Sequence, residues 1–181
     1  IKIRVLQKEK KLAAYKCLEK NIEKNVDQIL SSNKLDIENA RANDLSKPLI
    51  NRLKVTEQSI TGIIKSISEI KNQPDPIGTI LENWKQPNGL KFSKISVPLG
   101  VLGVIYESRP NVTVDASCLA LKSNNALILR GGSDSYHTSK QLVNIITESF
   151  MEANLPNNII QMIPTTDREA VDHLLTMKDY V

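Results

Sequence analysis

The sequence has few of the residues from which metal sites and disulfide frameworks are built. Its 181 residues include only two cysteines and two histidines, and aromatic side chains make up 4%. Cys17 and Cys118 are too few and too far apart to indicate a disulfide framework or a zinc site. His137 and His173 stand alone, without a second histidine or a carboxylate at ligand spacing. The sequence therefore predicts no metal, and it favours a reducing compartment.

The sequence also lacks an apolar run long enough to cross a bilayer and a charged-then-apolar leader. The net charge is only +4, and its basic excess lies largely in residues 1–24. A nucleic-acid-binding surface would interleave such charge with aromatic side chains, and only Tyr15 is near. We interpret the basic stretch as a solvated helix face, and we expect a cytoplasmic protein with no membrane or nucleic-acid partner.

Apolar residues recur at helical spacing through the first third of the chain. The pattern over residues 11–43 predicts two helices, with Asn25 and Asn33 as the expected breaks. Over residues 47–70 the same spacing predicts one long amphipathic helix. The two prolines within residues 73–76 end that helix, because proline has no backbone donor and disfavours helical neighbours.

The next segment has the pattern of a β-hairpin. Residues 78–84 and 91–97 are strand-like, and Asn88-Gly89 between them is a dipeptide favoured in hairpin turns. The sequence therefore predicts two antiparallel strands here. Such a hairpin could simply cover the protein's own sheet.

The rest of the chain alternates between strand and helix patterns. Residues 102–105 and 126–129 are apolar runs of strand length, and Pro110 between them suits the first position of a helix. The pattern continues with a helix over 135–152 capped by Ser133, Asp134 or Ser135, a buried strand over 158–163 and a helix over 167–177. This alternation predicts a parallel, doubly wound α/β sheet.

Polar residues follow the first strand of the predicted βαβ unit, at the edge where open α/β sheets bind ligands. Arg109 and Asn111 flank Pro110 at a predicted helix amino-terminus, where free N–H groups and the helix dipole favour a phosphate or carboxylate. Arg109 could instead only pair with Glu107 or Asp115. Spacing alone leaves both alternatives open.

The second strand ends in Arg130-Gly131-Gly132-Ser133. The two glycines would let the backbone approach a ligand closely. Taken singly, Ser133 could be no more than a helix cap, and Arg130 a surface cation.

Five motifs together resemble a known family. They are PDPIG at 74–78, WKQPNG at 84–89, VPLG at 97–100, YESRPNVTVD at 106–115 and ILRGG at 128–132. On these motifs the sequence, from about residue 12 to its end, is identified as a member of the aldehyde dehydrogenase superfamily. Within it the sequence resembles the branch that reduces γ-glutamyl phosphate in proline biosynthesis. A set of motifs this long is far more specific than a lone glycine-rich fingerprint.

The resemblance implies an α/β fold with amino-terminal helices, an antiparallel hairpin and part of a Rossmann-like parallel sheet. Residues 1–73 would form the helical segment, and residues 74–97 a hairpin that pairs with a neighbouring subunit. Residues 98–181 would supply the βαβ units of a partial NADP-binding domain. The catalytic domain would lie beyond Val181, so this part is expected to be inactive alone.

The activity implied by the resemblance is NADPH-dependent reduction of L-glutamate 5-phosphate to L-glutamate 5-semialdehyde and phosphate. The family reacts through a cysteine thioester, and that cysteine would lie beyond Val181. Cys17 and Cys118 sit in apolar, core-like helical patterns, which do not activate a thiol. The implied partners are a second copy of the chain, joined through residues 78–97, and the glutamate 5-kinase that supplies the labile substrate.

The resemblance also implies roles for individual residues. The family has an asparagine that holds the substrate oxyanion in this region, and Asn111 is the nearest asparagine. A count back from Asn125 without gaps places Glu107 at that position instead. We expect Arg109 to bind the anionic end of the substrate.

The residues expected to bind the cofactor are Arg130, Gly131, Gly132 and Ser133. Related enzymes have a lysine and then a glutamate here, and the glutamate binds the adenosine ribose. Serine with arginine can instead hold a 2′-phosphate through charge-assisted hydrogen bonds, which favours NADPH over NADH.

Two alternatives stay open. One is another acyl-phosphate or semialdehyde dehydrogenase of the superfamily, and the other is a non-catalytic nucleotide-binding or interaction module. The sequence begins at Ile1 without an initiator methionine, and Tyr180-Val181 ends where a new strand is expected. We therefore expect a longer gene product, whose sequence beyond Val181 would separate the alternatives.

Overall fold

A computed structural model gives the fold of residues 2–181. Within that range the helices are α1 (Lys8–Lys24), α2 (Val26–Ala42), α3 (Lys47–Leu53), α4 (Glu57–Asn72), α5 (Pro110–Lys122), α6 (Tyr136–Glu152) and α7 (Glu169–Thr176). The strands are β1 (Ile80–Lys85), β2 (Lys91–Ile95), β3 (Val101–Ile105), β4 (Ala126–Arg130) and β5 (Ile160–Met162). Short 3₁₀ turns cover Lys2–Val5 and Ser133–Ser135.

Strands β3, β4 and β5 form a parallel sheet in that order. Ile105 pairs with Arg130 and Leu129 pairs with Met162, so all three strands end at the same edge. The predicted α/β fold with a parallel sheet is confirmed. The predicted helix start at Pro110 is also confirmed, because α5 begins there.

The amino-terminal helices form a layer of their own. Helices α1 and α2 pack on α6, and α4 packs on α5, while α5 and α6 in turn pack on the sheet. The fully buried side chains between these layers include Tyr15, Leu121, Leu142 and Phe150. In the part of the chain that the structure describes, no helix is long and apolar enough to cross a membrane.

The first helical region breaks at only one of the two predicted positions. Asn25 separates α1 from α2, as expected. The predicted break at Asn33 is wrong, because Asn33 lies buried in the middle of α2. Its side-chain amide donates to the Leu53 carbonyl at 2.9 Å, and its carbonyl oxygen accepts from the Val55 N–H at 2.8 Å. These tertiary hydrogen bonds outweigh the weak helix propensity of asparagine.

The single long helix predicted over residues 47–70 is also wrong. The chain leaves helical geometry at Lys54 and starts a new helix after Thr56, whose side chain accepts from the Ser59 N–H in a capping box. The backbone groups of Leu53 and Val55, freed by this break, are the ones that Asn33 satisfies.

Strands β1 and β2 form the predicted antiparallel hairpin. Every residue of both strands is exposed, so the hairpin does not cover the parallel sheet. Trp84 and Phe92 stack on each other across the pair, with ring centroids 5.3 Å apart. The turn uses Gly89 at a positive φ of 90°, a conformation that favours glycine.

Candidate functional site

The loops that follow β3 and β4 lie against each other at the carboxyl edge of the sheet. The Tyr106 N–H donates to the Arg130 carbonyl at 3.1 Å, which extends the pairing past the end of β3. A Cβ on Gly131 would lie 2.9 Å from the Tyr106 hydroxyl, and a Cβ on Gly132 would lie 2.8 Å from the Ser108 nitrogen. The glycines therefore allow the two loops to pack closely, a role that the sequence analysis did not foresee.

Arg130 is buried rather than exposed, so it is not the surface cation considered as an alternative. Its guanidinium donates to the carbonyls of Gly131, Thr166 and Asp167, with a distance of 2.9 Å to Thr166. Its Nε is buried and has no hydrogen-bond partner among residues 2–181. Arg130 thus fastens the end of β4 to the loop that precedes α7.

A cavity of about 670 Å³ opens at this edge. Its apolar wall includes Leu45, Leu49 and Val171, and its charged wall includes Arg52 and Arg168. The strand-end residues that border it are Tyr106, Glu107, Ser108 and the whole of the 130–134 segment. Apolar surface for a base and arginines for phosphates are the chemistry that a nucleotide requires. The predicted cofactor residues Arg130, Gly131, Gly132 and Ser133 all lie here.

The predicted substrate residues lie beside this cavity rather than in it. Arg109 is the N-cap residue of α5, and its Nε lies 3.8 Å from Glu107 Oε2. Asn111 donates from its amide to Asp115 Oδ2 at 3.4 Å and lines a smaller cavity of about 330 Å³. Glu107 borders the larger cavity. The structure therefore separates Asn111 from the cofactor residues.

The amino-termini of α5 and α6 differ in whether a carboxylate of the protein already occupies them. The buried Asp36 carboxylate already occupies the start of α6, where it accepts from the His137 N–H at 3.0 Å and the Thr138 N–H at 2.7 Å. The sequence predicted Ser133, Asp134 or Ser135 as the cap. Ser135 is the N-cap residue, but its side chain makes no capping bond, and Asp36 caps the helix instead. At α5 the Arg109 side chain makes no capping bond either, and the first turn of that helix contains no acidic residue.

Sequence reasoning missed Arg52 and Arg168. The chain has six arginines among 24 basic residues, at 4, 41, 52, 109, 130 and 168. Four of them, Arg52, Arg109, Arg130 and Arg168, surround the carboxyl edge of the sheet. Because the other residues in that set of 24 are all lysines, the rarity of arginine was the available signal.

Neither cysteine is placed for chemistry. Burial raises the pKa of the Cys118 thiol above its ordinary value, and its side chain lies in the core between helices. Cys17 is half-buried on α1 and packs against the same core. Thiolate reactivity needs exposure and nearby positive charge, which a buried thiol with a raised pKa lacks.

Comparison with known proteins identifies the family. The family model described as "Aldehyde dehydrogenase family" matches residues 17–180. The chain is 45% identical over 161 residues to a gamma-glutamyl phosphate reductase of Clostridium tetani and 46% identical over 171 residues to one of Bartonella bacilliformis. These matches cover 89% and 94% of the chain but 38% and 42% of the relatives, so the chain spans about two fifths of their length.

Solved structures agree with the sequence matches. The crystal structure of gamma-glutamyl phosphate reductase from Thermotoga maritima superposes with a TM-score of 0.94 at 34% identity, over 99% of this chain and 43% of that one. A probable aldehyde dehydrogenase from Listeria monocytogenes shares the fold alone, with a TM-score of 0.73 at 14% identity over 99% of this chain and 37% of that one. The chain belongs to the aldehyde dehydrogenase family.

Proposed function

We propose that this chain is the cofactor-binding part of an enzyme that reduces L-glutamate 5-phosphate to L-glutamate 5-semialdehyde and phosphate, a step of proline biosynthesis. The observation that carries the proposal is the likeness to reductases of this substrate over almost the whole chain. Propionaldehyde dehydrogenases share its fold at 11–13% identity. The catalytic domain and its nucleophilic cysteine belong to the remainder of such an enzyme.

The cofactor proposed for the 670 Å³ cavity is NADPH, which would supply the hydride. Ser133 is exposed and borders the cavity. A ribose-binding carboxylate at its position would repel a 2′-phosphate, and serine carries no such charge. Arg168 adds positive charge to the same wall. The buried Arg130, which also borders the cavity, contributes by holding the carbonyls of Thr166 and Asp167, next to the cavity residue Arg168.

The substrate residues proposed are Arg109 for the anionic end and Asn111 for positioning. Arg109 projects from the amino-terminus of α5, where the helix dipole and the free N–H groups favour an anion. Asn111 lies in the first turn of the same helix, beside the smaller cavity.

We further propose a homo-oligomer formed through the β1–β2 hairpin. An isolated two-stranded hairpin is marginally stable in water, and this one exposes Ile80, Leu81, Trp84 and Phe92. A partner subunit would cover that surface. A cytoplasmic location suits the two free cysteines, and the kinase that makes the labile acyl phosphate is the proposed upstream partner.

The reverse reaction tests this function. The complete protein that carries this sequence would be assayed with NADP, phosphate and three aldehydes: glutamate 5-semialdehyde, aspartate 4-semialdehyde and propionaldehyde. We expect glutamate 5-semialdehyde to be preferred by at least about tenfold in kcat/KM. Preference for another aldehyde would reassign the substrate within the family. No turnover with any aldehyde would favour a non-catalytic nucleotide-binding module.

A further inference from the structure

Three charged side chains from two elements meet at the end of β3. Arg52 of α3 and Arg109 of the β3–α5 junction both approach the same atom, Glu107 Oε2. The distances are 3.3 Å from Arg52 Nη1 and 3.8 Å from Arg109 Nε. One carboxylate oxygen therefore lies between two guanidinium groups, where an oxygen of a bound anion could replace it.

The exposure of these three side chains argues against a mainly stabilising role for the cluster. The side chains of Arg52, Arg109 and Glu107 are 50%, 51% and 71% exposed. Ion pairs this exposed contribute little to folding, because water competes for both charges. The same exposure leaves the carboxylate free to swing away and the arginines free to bind a ligand.

The position of the cluster points to a ligand. Arg52 lines both the 670 Å³ cavity and the 330 Å³ cavity, so the two cavities meet at this side chain. The adjoining amino-terminus of α5 adds positive potential, whereas Asp36 already occupies that of α6. Of these two helices, α5 therefore has the amino-terminus that can bind an anion, and it is also the one beside the two arginines.

We propose that Arg52 and Arg109 form a clamp for the phosphoryl group of the acyl phosphate, with Glu107 as its resting counterion. Guanidinium groups bind phosphate oxygens in a planar, two-pronged geometry, and two of them can hold a dianion that one carboxylate balances only in part. When the substrate enters, its phosphoryl oxygens take the place of Glu107 Oε2. The assignment of the phosphoryl group to this acyl phosphate rests on the proposed function. The binding of a phosphate group by the two arginines does not.

Phosphate is a substrate of the reverse reaction, so the KM for phosphate reports how well the two arginines bind it. In the complete protein, Arg52→Ala should raise the KM for phosphate by about tenfold or more and leave the KM for NADP within about twofold. Arg52→Lys should restore part of the loss, because lysine keeps the charge without the fork. Arg41→Ala, at an exposed arginine of α2, is the matched control and should change neither KM.

Glu107→Gln separates a clamp from a structural ion pair. If Glu107 is a resting counterion, its neutralisation removes a competitor, and the KM for phosphate should fall by about two- to fivefold. If the pair merely holds the loop in place, Glu107→Gln and Arg52→Ala should impair the enzyme in the same direction. Parallel losses would overturn the proposal, as would an Arg52→Ala enzyme with unchanged KM for phosphate or with a raised KM for NADP alone.

Calorimetric titration of inorganic phosphate into the cofactor-free protein keeps this test independent of the reaction. Weaker binding by Arg52→Ala and tighter binding by Glu107→Gln would support the clamp even if the enzyme acted on a different acyl phosphate. Equal phosphate affinity in the wild type and both variants, at unchanged melting temperature, would refute it while leaving the proposed function in place.

Discussion

Four of the six arginines stand around one edge of one small sheet, and they do different things there. Arg130 is buried and holds backbone carbonyls, while Arg52 and Arg109 are half-exposed around Glu107. The same residue type thus fixes a loop in one place and leaves a charge available in another. Burial and hydrogen-bond partners, rather than position in the sequence, separate the two roles.

Ser133 carries the proposed preference for NADPH. In the complete protein, Ser133→Glu should lower the NADPH to NADH ratio of kcat/KM by at least about tenfold, because a carboxylate would face the 2′-phosphate. The site is exposed, so the larger side chain fits without repacking. Ser133→Ala is the control and should change the ratio little. An unchanged ratio in Ser133→Glu would limit Ser133 to a structural part of the 3₁₀ turn.

The two thiols should differ in reactivity. Cys118 is fully buried and the pKa of its thiol is raised by burial, while Cys17 is half-buried. Labelling of the native protein with a thiol-exchange reagent at pH 8 should therefore modify Cys17 at least about a hundredfold faster than Cys118. In denaturant the two rates should converge. Rapid labelling of Cys118 in the native protein would contradict its assignment to the core.

At the scale of elements, one buried side chain accounts for both helix predictions that failed. Asparagine weakens a helix locally, and nothing in the local pattern places Leu53 and Val55 beside it. In the fold, Asn33 hydrogen-bonds to both, which keeps α2 continuous and stabilises the break between α3 and α4. The partners are 20 and 22 residues away, so neither effect could be predicted from local periodicity.

The start of α6 depends on a residue from α2. Asp36 accepts two backbone N–H bonds and a 2.5 Å bond from the Thr138 hydroxyl. Asp36→Ala should lower the free energy of unfolding by about 3 kcal/mol, since buried charge-assisted bonds are lost and amides are left unpaired. Glu38→Ala, at an exposed position of the same helix, should cost less than about 1 kcal/mol. Equal losses in denaturant titrations would contradict the capping role.

An ion pair between buried Lys11 and partly buried Asp75 ties the segment before the hairpin to the helical layer. Lys11 Nζ lies 2.5 Å from Asp75 Oδ2 and donates to the Lys122 carbonyl at 3.0 Å. Lys11→Met should lower the free energy of unfolding by about 3 kcal/mol at pH 7, because it removes the ion-pair partner of the Asp75 carboxylate. The exposed neighbour Lys10→Met is the matched control.

The same pair predicts a dependence on pH. Burial alone would raise the pKa of Asp75, but the hydrogen bond and charge of Lys11 lower it below its usual value. A carboxyl whose pKa falls on folding stabilises the folded state above its unfolded pKa and loses that contribution as the pH falls. The difference in unfolding free energy between wild type and Lys11→Met should therefore shrink below about pH 4. A difference that is constant from pH 7 to pH 3 would contradict this.

At the scale of the whole molecule, the spacing of apolar residues and the order of the elements along the sequence predict the sheet. The contacts at the edge of the sheet are only partly predictable. Apolar runs at 102–105 and 126–129 with Pro110 between them predict a βαβ unit, because each feature is local. The carboxyl edge follows from that topology, and so does the placement of Gly131 and Ser133 on it. Arg52 reaches the edge from α3, across more than fifty residues, and no local pattern could place it there.

The central claim is that the carboxyl edge of this sheet binds the nucleotide of a γ-glutamyl phosphate-reducing enzyme. A crystal structure of the complete protein with NADP bound tests it most directly. We predict the cofactor in the cavity bordered by Gly131, Gly132 and Arg168, with its 2′-phosphate within hydrogen-bond distance of Ser133. A nucleotide bound instead at the opposite edge, in the cavity of about 990 Å³ bordered by Val101 and Leu155, would contradict the account.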